Sequence, residues 1–317
     1  MEQRKTNTAV GGVDVSKRRL DVAIHGLEEM IQVSNTPAGF EALGFWLGER
    51  GVGRVGLEAT GGYEQTLVWW LQAAGYEVVI HPPTAVRQFA RFKRLKAKND
   101  KIDARLIALA TTQTETVKAA LDPRLADLAE RMTTYEQVSD HLATMKTEAE
   151  HVRLKDLRKL LATQMRSLLV LKRKLAADLI ARILAWPDLA ARYQLLQSLP
   201  GFGPIVAAAI VIRMPELGSL QRGQAAALVG VAPFDRDSGL YKGQRRIWGG
   251  RERPRRFLYL AAVAAKRFDP AFKAFANNLT QRGKPPKLTN VAVMRKLIEA
   301  ANLVLGRGQP WAKASAT

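Results

Sequence analysis

The chain has 317 residues, no cysteine and a formal net charge of +20. Without cysteine it can form no disulfide, thiolate zinc site or cysteine nucleophile. Hydrophobic residues make up 47% of the chain, enough for folded domains, but no apolar run is long enough to cross a bilayer. No N-terminal signal sequence is recognisable, so we expect a cytoplasmic protein without a membrane partner.

The positive charge is concentrated towards the C-terminal end. Residues 232–317 carry 18 Lys and Arg against 5 Asp and Glu, whereas residues 1–110 carry 15 against 12. A smaller basic cluster lies within residues 87–98. Clustered charge of this kind favours a polyanionic partner, and nucleic acid more than an acidic membrane surface.

Residues 1–115 alternate between strand and helix patterns. Three successive strands are predicted in "TAVGGVDVS", "RLDVAIHG" and "EMIQVSNT". A helix then begins after Thr36, with Pro37 at its first position, followed by the strand "VGRVGLEAT", another helix and the strand "YEVVIHP". Further helices are predicted from Pro83 and from about Asn99. The pattern predicts a mixed sheet with helices on its faces.

Residues 116–190 are predicted to be helical, because there is no glycine from Leu125 to Trp186 and leucines recur at helical spacing. Long antiparallel helices or a coiled-coil arm are the favoured interpretation, and a helical layer on the first domain is the alternative. Residues 191–317 are predicted to form a mostly helical C-terminal domain that contains a basic, glycine-rich segment. The predicted fold class is therefore α/β plus α, in three parts.

Four carboxylates occupy positions that a mixed sheet would gather. Asp14 ends the first predicted strand and Glu58 ends the fourth, while Asp100 and Asp103 share a face of the helix that follows. Each acid alone has a structural explanation, for example beside a helix N-terminus. Together they match an RNase H-like layout. Carboxylate oxygens are ligands that Mg²⁺ prefers, and divalent cations held in this way polarise a phosphodiester.

A glycine-containing turn, "LPGFGPIVAAAI", separates two apolar helical segments. Gly201 and Gly203 in this turn predict a helix-hairpin-helix. Glycines let a backbone approach a phosphate closely, and the N–H groups at the start of the second helix can bind it. A plain tight turn between core helices is an equally open interpretation.

The segment "FDRDSGLYKGQRRIWGGRERPRR" places Ser238 before a run of basic residues. A hydroxyl needs a base or a metal to act as a nucleophile, and Asp-Ser-Gly is a common turn composition, so the local sequence alone favours a turn. Ser16, beside Asp14, is expected to close a strand turn. Trp248 and Tyr241 are candidates for stacking on unpaired bases. The candidates for nucleic-acid binding are Lys242, Arg245, Arg246, Arg251, Arg253, Arg255 and Arg256.

These motifs resemble those of one family. "GVDVSK", "LEATGGY" and "KNDKIDARLIA" are similar to the motifs of the DEDD-type insertion-sequence transposases, also called bridge-RNA-guided recombinases. "LPGFGPIVAAAI", "ALVGVAPFDRDSG" and "GGRERPRRFLYLAA" are similar to the second domain of that family. The similarity is collinear from about Val10 to Ala265.

The resemblance implies a RuvC-like domain in which Asp14, Glu58, Asp100 and Asp103 bind Mg²⁺, and a C-terminal transposase domain in which Ser238 attacks DNA. It also implies double-stranded donor and target DNA, a structured non-coding guide RNA, and a homo-oligomer with composite active sites, in a bacterial, nucleoid-associated enzyme. The residues alone leave two alternatives open. One is a metal-dependent, structure-specific endonuclease that uses water, and the other is a nucleic-acid-binding protein without catalysis.

Overall fold

The computed structural model describes residues 9–93, 100–115, 122–234 and 246–311, except for the side chains of residues 100–102. The chain divides into two compact units, residues 1–122 and 123–317. Within the described residues, no helix combines the length and the apolar character needed to span a membrane.

A mixed sheet forms the centre of the first unit. Its strands are β1 (Ala9–Val15), β2 (Arg19–Ile24), β3 (Met30–Ser34), β4 (Val52–Glu58) and β5 (Glu77–His81). Its helices are α1 (Pro37–Glu49), α2 (Gln65–Ala73), α3 (Pro83–Phe92) and α4 (Asp100–Thr112). The predicted element order is confirmed, including the start of α1, where the Thr36 side chain accepts a hydrogen bond from the Gly39 N–H at 3.4 Å.

The strand order is β3-β2-β1-β4-β5. Strands β1, β2 and β3 are antiparallel neighbours, whereas β4 runs parallel to β1 and β5 runs parallel to β4. Parallel neighbours need crossover connections, which α1 and α2 provide. The carboxyl ends of β1, β4 and β5 therefore lie at one edge of the sheet.

Helix α4 crosses the sheet in direct contact with two strand backbones. Gly12 of β1 and Gly56 of β4 are register partners. A Cβ atom on Gly12 would lie 2.2 Å from the Ala108 nitrogen and 2.4 Å from the Ala104 carbonyl oxygen, and one on Gly56 would lie 1.8 Å from Oγ1 of Thr111. Only glycine fits at these two positions, so Gly12 and Gly56 determine how closely α4 packs against the sheet.

The second unit contains eight helices and a short two-stranded ribbon within its described residues, 123–234 and 246–311. The helices are α5 (Pro123–His151), α6 (Lys155–Leu184), α7 (Pro187–Gln197), α8 (Pro204–Arg213), α9 (Gln224–Val229), α10 (Glu252–Phe268), α11 (Pro270–Gln281) and α12 (Pro286–Arg307). The ribbon strands are β6 (Pro233–Phe234) and β7 (Arg246–Ile247). Its core surrounds α8, in which every residue from Val206 to Ile212 is buried.

Helices α5 and α6 form an antiparallel pair, as the sequence predicts. Asp127 pairs with Arg182 at 3.9 Å, and Arg131 of the next turn of α5 pairs with Asp178 of the preceding turn of α6 at 3.0 Å. Both helices belong to the second unit. The coiled-coil character of this pair and the division of the chain into three domains stay predictions.

Candidate active site

Two of the predicted acids lie side by side at one edge of the sheet. Side chains alternate between the two faces of a strand, so Asp14 projects on the same face as Gly12, and Glu58 projects on the same face as Gly56. This is the face that α4 covers. Val13 is the register partner of Leu57, so Asp14 and Glu58 follow as neighbours on parallel strands that are about 4.8 Å apart.

Asp103 projects towards the same edge. Arg105, two residues later, donates to the carbonyl oxygen of Glu28 at 2.7 Å and pairs with its carboxylate at 2.9 Å, next to the start of β1. Two residues correspond to about 200° around a helix, so Asp103 points away from that contact, towards the end of β1. Asp100 begins α4, and its side chain lies outside the described residues.

The chemistry of these donors fits a divalent cation, although a closed set of ligands is not formed. Among the described side chains, no three carboxylate or imidazole groups lie close enough together to hold a metal ion. Carboxylates at the ends of two adjacent strands, with a third on the crossing helix, are nevertheless hard oxygen donors directed at one region. The metal assignment of the four acids stays a prediction.

The turn beside Asp14 confirms the expectation for Ser16. Its hydroxyl donates to the Arg19 carbonyl oxygen at 2.9 Å and accepts from the Arg19 N–H at 3.0 Å. Ser16 therefore closes the turn between β1 and β2. Asp21, the other carboxylate in this region, lies within β2, where it accepts a hydrogen bond from Gln32 at 2.8 Å.

Glu64 organises the loop that follows Glu58, a role that the sequence analysis missed. Its buried carboxylate accepts hydrogen bonds from the Thr60 hydroxyl at 2.7 Å, the Gly62 N–H at 2.9 Å and the Thr60 N–H at 3.2 Å. Burial acts to raise the pKa of Glu64, but these hydrogen bonds outweigh it and lower the pKa. A glutamate just after a Gly-Gly turn was the available signal.

A buried histidine ties β5 to α4. His81 is the register partner of Glu58, and its Nε2 lies 2.8 Å from the Thr111 hydroxyl oxygen. That hydroxyl donates its hydrogen to the Ile107 carbonyl oxygen at 2.6 Å, so Nε2 carries the proton and donates to Thr111. Burial lowers the pKa of His81, which favours the neutral ring. The hydrogen bond fixes the crossing position of α4 and therefore the direction of Asp103.

The segment that contains Ser238 is closed by a short antiparallel ladder. Pro233 pairs with Ile247, and Phe234 pairs with Arg246. We call β6 and β7 together the serine ribbon, because Ser238 lies between them in sequence. Four predicted residues between the two strands lie outside the described residues: Ser238, Tyr241, Lys242 and Arg245.

Arg255 connects the two chain segments at the base of the serine ribbon, which we define as Gly230 before β6 and Gly249 and Gly250 after β7. A Cβ atom on Gly230 would lie 2.1 Å from the Gly249 carbonyl oxygen, and one on Gly250 would lie 2.2 Å from the Gly230 nitrogen. Arg255 donates to the carbonyl oxygens of Gly249 at 2.7 Å and of Gly230 at 3.4 Å. The two chain segments that lead into and out of the ribbon therefore touch through glycine backbones and share one guanidinium group.

Three other arginines of the predicted phosphate-binding set pair with carboxylates of the same unit. The pairs are Arg251 with Glu216 at 2.9 Å, Arg253 with Glu136 at 3.0 Å, and Arg256 with Asp140 at 3.0 Å. The arginine side chains are 40–54% exposed, so solvent still reaches them. Arg246 lies exposed on β7. Nucleic-acid binding by these arginines stays a prediction.

The glycine turn joins α7 to α8. Gly201 has a φ of +81°, and a Cβ atom there would lie 2.1 Å from the Ala261 carbonyl oxygen of α10, so its presence is required by packing. Gly203 caps the start of α8 and has open space at its Cβ position. Of the two predicted phosphate contacts, Gly203 has the geometry that allows close approach.

Comparisons with known proteins identify both parts of the chain. A transposase model of the DEDD IS110 type matches residues 11–169, and a model described as transposase IS116/IS110/IS902 family matches residues 193–277. Pilin gene-inverting proteins from Moraxella bovis and Moraxella lacunata are each 24% identical over 331 residues, covering 95% of this chain and 97% of the relative. A solved T. thermophilus RuvC in complex with a Holliday junction substrate covers 35% of this chain and 99% of its own, with a TM-score of 0.28 and 18% identity.

Proposed function

Because the chain belongs to the IS110 transposase family, we propose that this DNA transposase cuts and rejoins the DNA of an insertion sequence through a covalent link to Ser238. The observation that carries the proposal is the position of Asp14 and Glu58 at the ends of two adjacent parallel strands, in a chain where the segments before and after Ser238 in sequence touch through glycine backbones and share Arg255. The relatives' named activity, inversion of a pilin gene, also requires DNA to be cut and rejoined.

The proposed reaction conserves the phosphodiester. The Ser238 hydroxyl oxygen attacks a DNA phosphorus, its proton passes to a carboxylate, and the bond from phosphorus to one deoxyribose oxygen breaks and frees a DNA hydroxyl. Asp235 and Asp237 are the nearest carboxylates in sequence. Attack by a DNA hydroxyl on the serine-linked phosphorus then reverses the step and releases Ser238. No nucleotide cofactor is needed, because one phosphodiester replaces another.

Asp14, Glu58, Asp100 and Asp103 are the residues that would hold Mg²⁺. Bound there, the ion supplies positive charge that stabilises the extra negative charge on the reacting phosphate. The contribution of the chain is to aim the carboxylates. The contact at Gly12 sets the distance between α4 and the sheet, and the hydrogen bond of His81 fixes where α4 crosses the strands. The Glu64 carboxylate holds the loop after Glu58 in place.

The proposal includes a homo-oligomer in which the sheet site of one protomer works with the serine of another. The start of α6 supports it, because its N-cap residue Leu154 and Leu157 and Leu160 of its first two turns are 62%, 42% and 67% exposed within the described chain. Apolar side chains at helical spacing and without cover are typical of an association surface. Guidance by a structured RNA is the remaining part of the proposal, and the family resemblance supports it.

A covalent-capture experiment tests the proposal. The full chain is incubated with DNA carrying the ends of its element, Mg²⁺ and RNA transcribed from the same element, then denatured and examined for protein-linked DNA. We expect linked DNA with the wild type, and none with Ser238→Ala or Asp14→Asn. Ser167→Ala, which alters an exposed serine of α6, is the matched control and should retain the link.

The same assay separates the alternatives. Cleavage that survives Ser238→Ala but not Asp14→Asn would replace the covalent mechanism with a water-using endonuclease. Tight DNA binding without cleavage, for every DNA, RNA and metal combination, would leave a binding protein. Covalent linkage that needs no RNA would remove the guide from the proposal and leave the serine chemistry intact.

A further inference from the structure

Helix α3 presents basic side chains that have no acidic partner within the described part of the chain. Arg87 and Arg91 are exposed and lie four residues apart, so they share one face of the helix. Among the described residues, no carboxylate lies within 4.0 Å of either guanidinium group, unlike Arg50 and Arg54, which pair with Glu29 and Glu77. Like charges at this spacing destabilise a helix, so the arrangement is favourable only when a polyanion neutralises it.

An aromatic ring is exposed at the end of the same helix. Phe92, the last residue of α3, is 78% exposed. Its ring lies against that of Phe89 with centroids 6.4 Å apart, and Phe89 packs on the core cluster of Val86 and Ile107. The Lys93 ammonium lies 5.9 Å from the Phe92 ring centroid. Phe92 is therefore an exposed aromatic ring that packs on Phe89 and lies close to the positive charge of Lys93.

The position of α3 places this face next to the candidate active site. Helix α3 begins two residues after His81, and His81 is the register partner of Glu58. The start of α3 therefore lies at the sheet edge to which the acids point. The basic residues therefore belong to a helix that begins at that edge.

From these observations we infer that the exposed face of α3 binds a nucleic-acid strand, with Arg87 and Arg91 on its phosphates and Phe92 stacked on an unpaired base. Arginine pairs with phosphate oxygens at fixed geometry, and aromatic stacking accepts any base, so the surface holds a strand without reading its sequence. This inference goes beyond the cutting chemistry and needs neither Ser238 nor a metal.

Salt dependence of binding tests the arginines. The full-length Ser238→Ala chain is titrated, in EDTA, into fluorescein-labelled duplex DNA, single-stranded DNA or single-stranded RNA of one sequence. Its affinity for each polymer is measured by fluorescence anisotropy at several salt concentrations. Arg87→Gln/Arg91→Gln should lower the slope of log affinity against log salt by about 1.8 for duplex DNA or about 1.4 for a single strand. The single-stranded polymer whose slope falls identifies the ligand, and a slope that falls for duplex DNA alone would contradict binding of an unpaired strand.

A matched pair of substitutions makes this test sharp. Arg50→Gln/Arg54→Gln removes the same charge from arginines that are already neutralised by Glu29 and Glu77, and should leave the slope unchanged. If the α3 pair and the control pair give the same slopes with all three polymers, the inference is wrong.

Stacking by Phe92 is tested separately. Phe92→Ala should weaken single-strand binding about 5-fold or more, from the lower end of the stacking energy per base, and leave duplex binding unchanged. Phe92→Tyr should retain affinity. Phe45→Ala, at a phenylalanine of α1 that is 70% exposed, is the control. Equal effects of Phe92→Ala and Phe45→Ala, or equal loss on duplex and single strand, would refute stacking.

Discussion

Substitution of Gly12 by alanine should separate α4 from the sheet. The added Cβ atom would lie 2.2 Å from the Ala108 nitrogen and 2.4 Å from the Ala104 carbonyl oxygen. Favourable contacts between such atoms begin at about 3.5 Å, so α4 must withdraw by about 1 Å. Both atoms belong to the helix backbone and cannot turn aside. Overpacking of this kind costs about 1–3 kcal/mol.

Gly11→Ala is the control for this substitution. The nearest atom to its Cβ position is a Leu47 side-chain methyl at 3.4 Å, which is an ordinary contact. Replacing glycine at such a position stabilises a protein by about 0.4–1 kcal/mol, through the unfolded state. The two alanine variants, one residue apart, should therefore differ by about 2 kcal/mol or more in the unfolding free energy of the first unit.

Hydrogen exchange measured by mass spectrometry resolves this effect, because peptides from β1 and α4 report the first unit without the second. Gly12→Ala should accelerate exchange in both peptides, and Gly11→Ala should not. Withdrawal of Asp103 by about 1 Å should also reduce DNA cleavage, by up to about 100-fold. If Gly11→Ala and Gly12→Ala protect these amides equally, the contact between α4 and Gly12 does not exist in solution.

Three further substitutions have definite expected outcomes. Arg255→Lys keeps the positive charge but loses the guanidinium contact with the carbonyl oxygens of Gly230 and Gly249. Covalent capture of DNA should therefore fall at least several-fold, while DNA affinity changes less than 2-fold. Equal losses of capture and affinity would contradict a positioning role. The lowered pKa of Glu64 stabilises the fold at pH values above the ordinary glutamate pKa of about 4.3, and this stability is lost as the pH falls through the folded-state pKa. Glu64→Gln should therefore reduce the fall of the urea unfolding midpoint over this pH range. Leu157→Glu/Leu160→Glu should lower the mass measured by light scattering, because both side chains are exposed within the described chain; an unchanged mass places the association surface elsewhere.

The first unit could be predicted in detail because its signals are local. Thr36 and Pro37 fix the start of α1, and apolar strands bounded by turns fix the order of the sheet. The strand-end positions of Asp14 and Glu58 follow from the same pattern. The contacts of Gly12 and Thr111 depend on where α4 crosses, and this is decided by packing between residues almost a hundred positions apart.

The charge pattern predicted less about the second unit. Arg251, Arg253 and Arg256 stand in one basic run, yet the structure pairs Arg253 and Arg256 with carboxylates of α5, and Arg251 with Glu216 in the turn after α8. Composition counts these arginines together with Arg87 and Arg91, which have no carboxylate partner among the described residues. A count of charges cannot distinguish an arginine that pairs with a carboxylate of another segment from one that is available to bind a phosphate, because the difference depends on which acids the fold places close to each arginine.

The pairing of α10 with α5 links the serine ribbon to the long helical pair. Helix α10 begins two residues after Gly250, which closes the base of the ribbon, and its first turns are tied to α5 by Arg253 with Glu136 and Arg256 with Asp140. The Glu136 side chain is only 9% exposed and also pairs with Arg213, so removing its arginine partners while it stays buried would cost about 3–5 kcal/mol. These ion pairs connect the base of the serine ribbon to α5, the first helix of the long pair. We therefore expect a partner bound along the exposed leucines near the start of α6 to influence the base of the ribbon through α5 and α10.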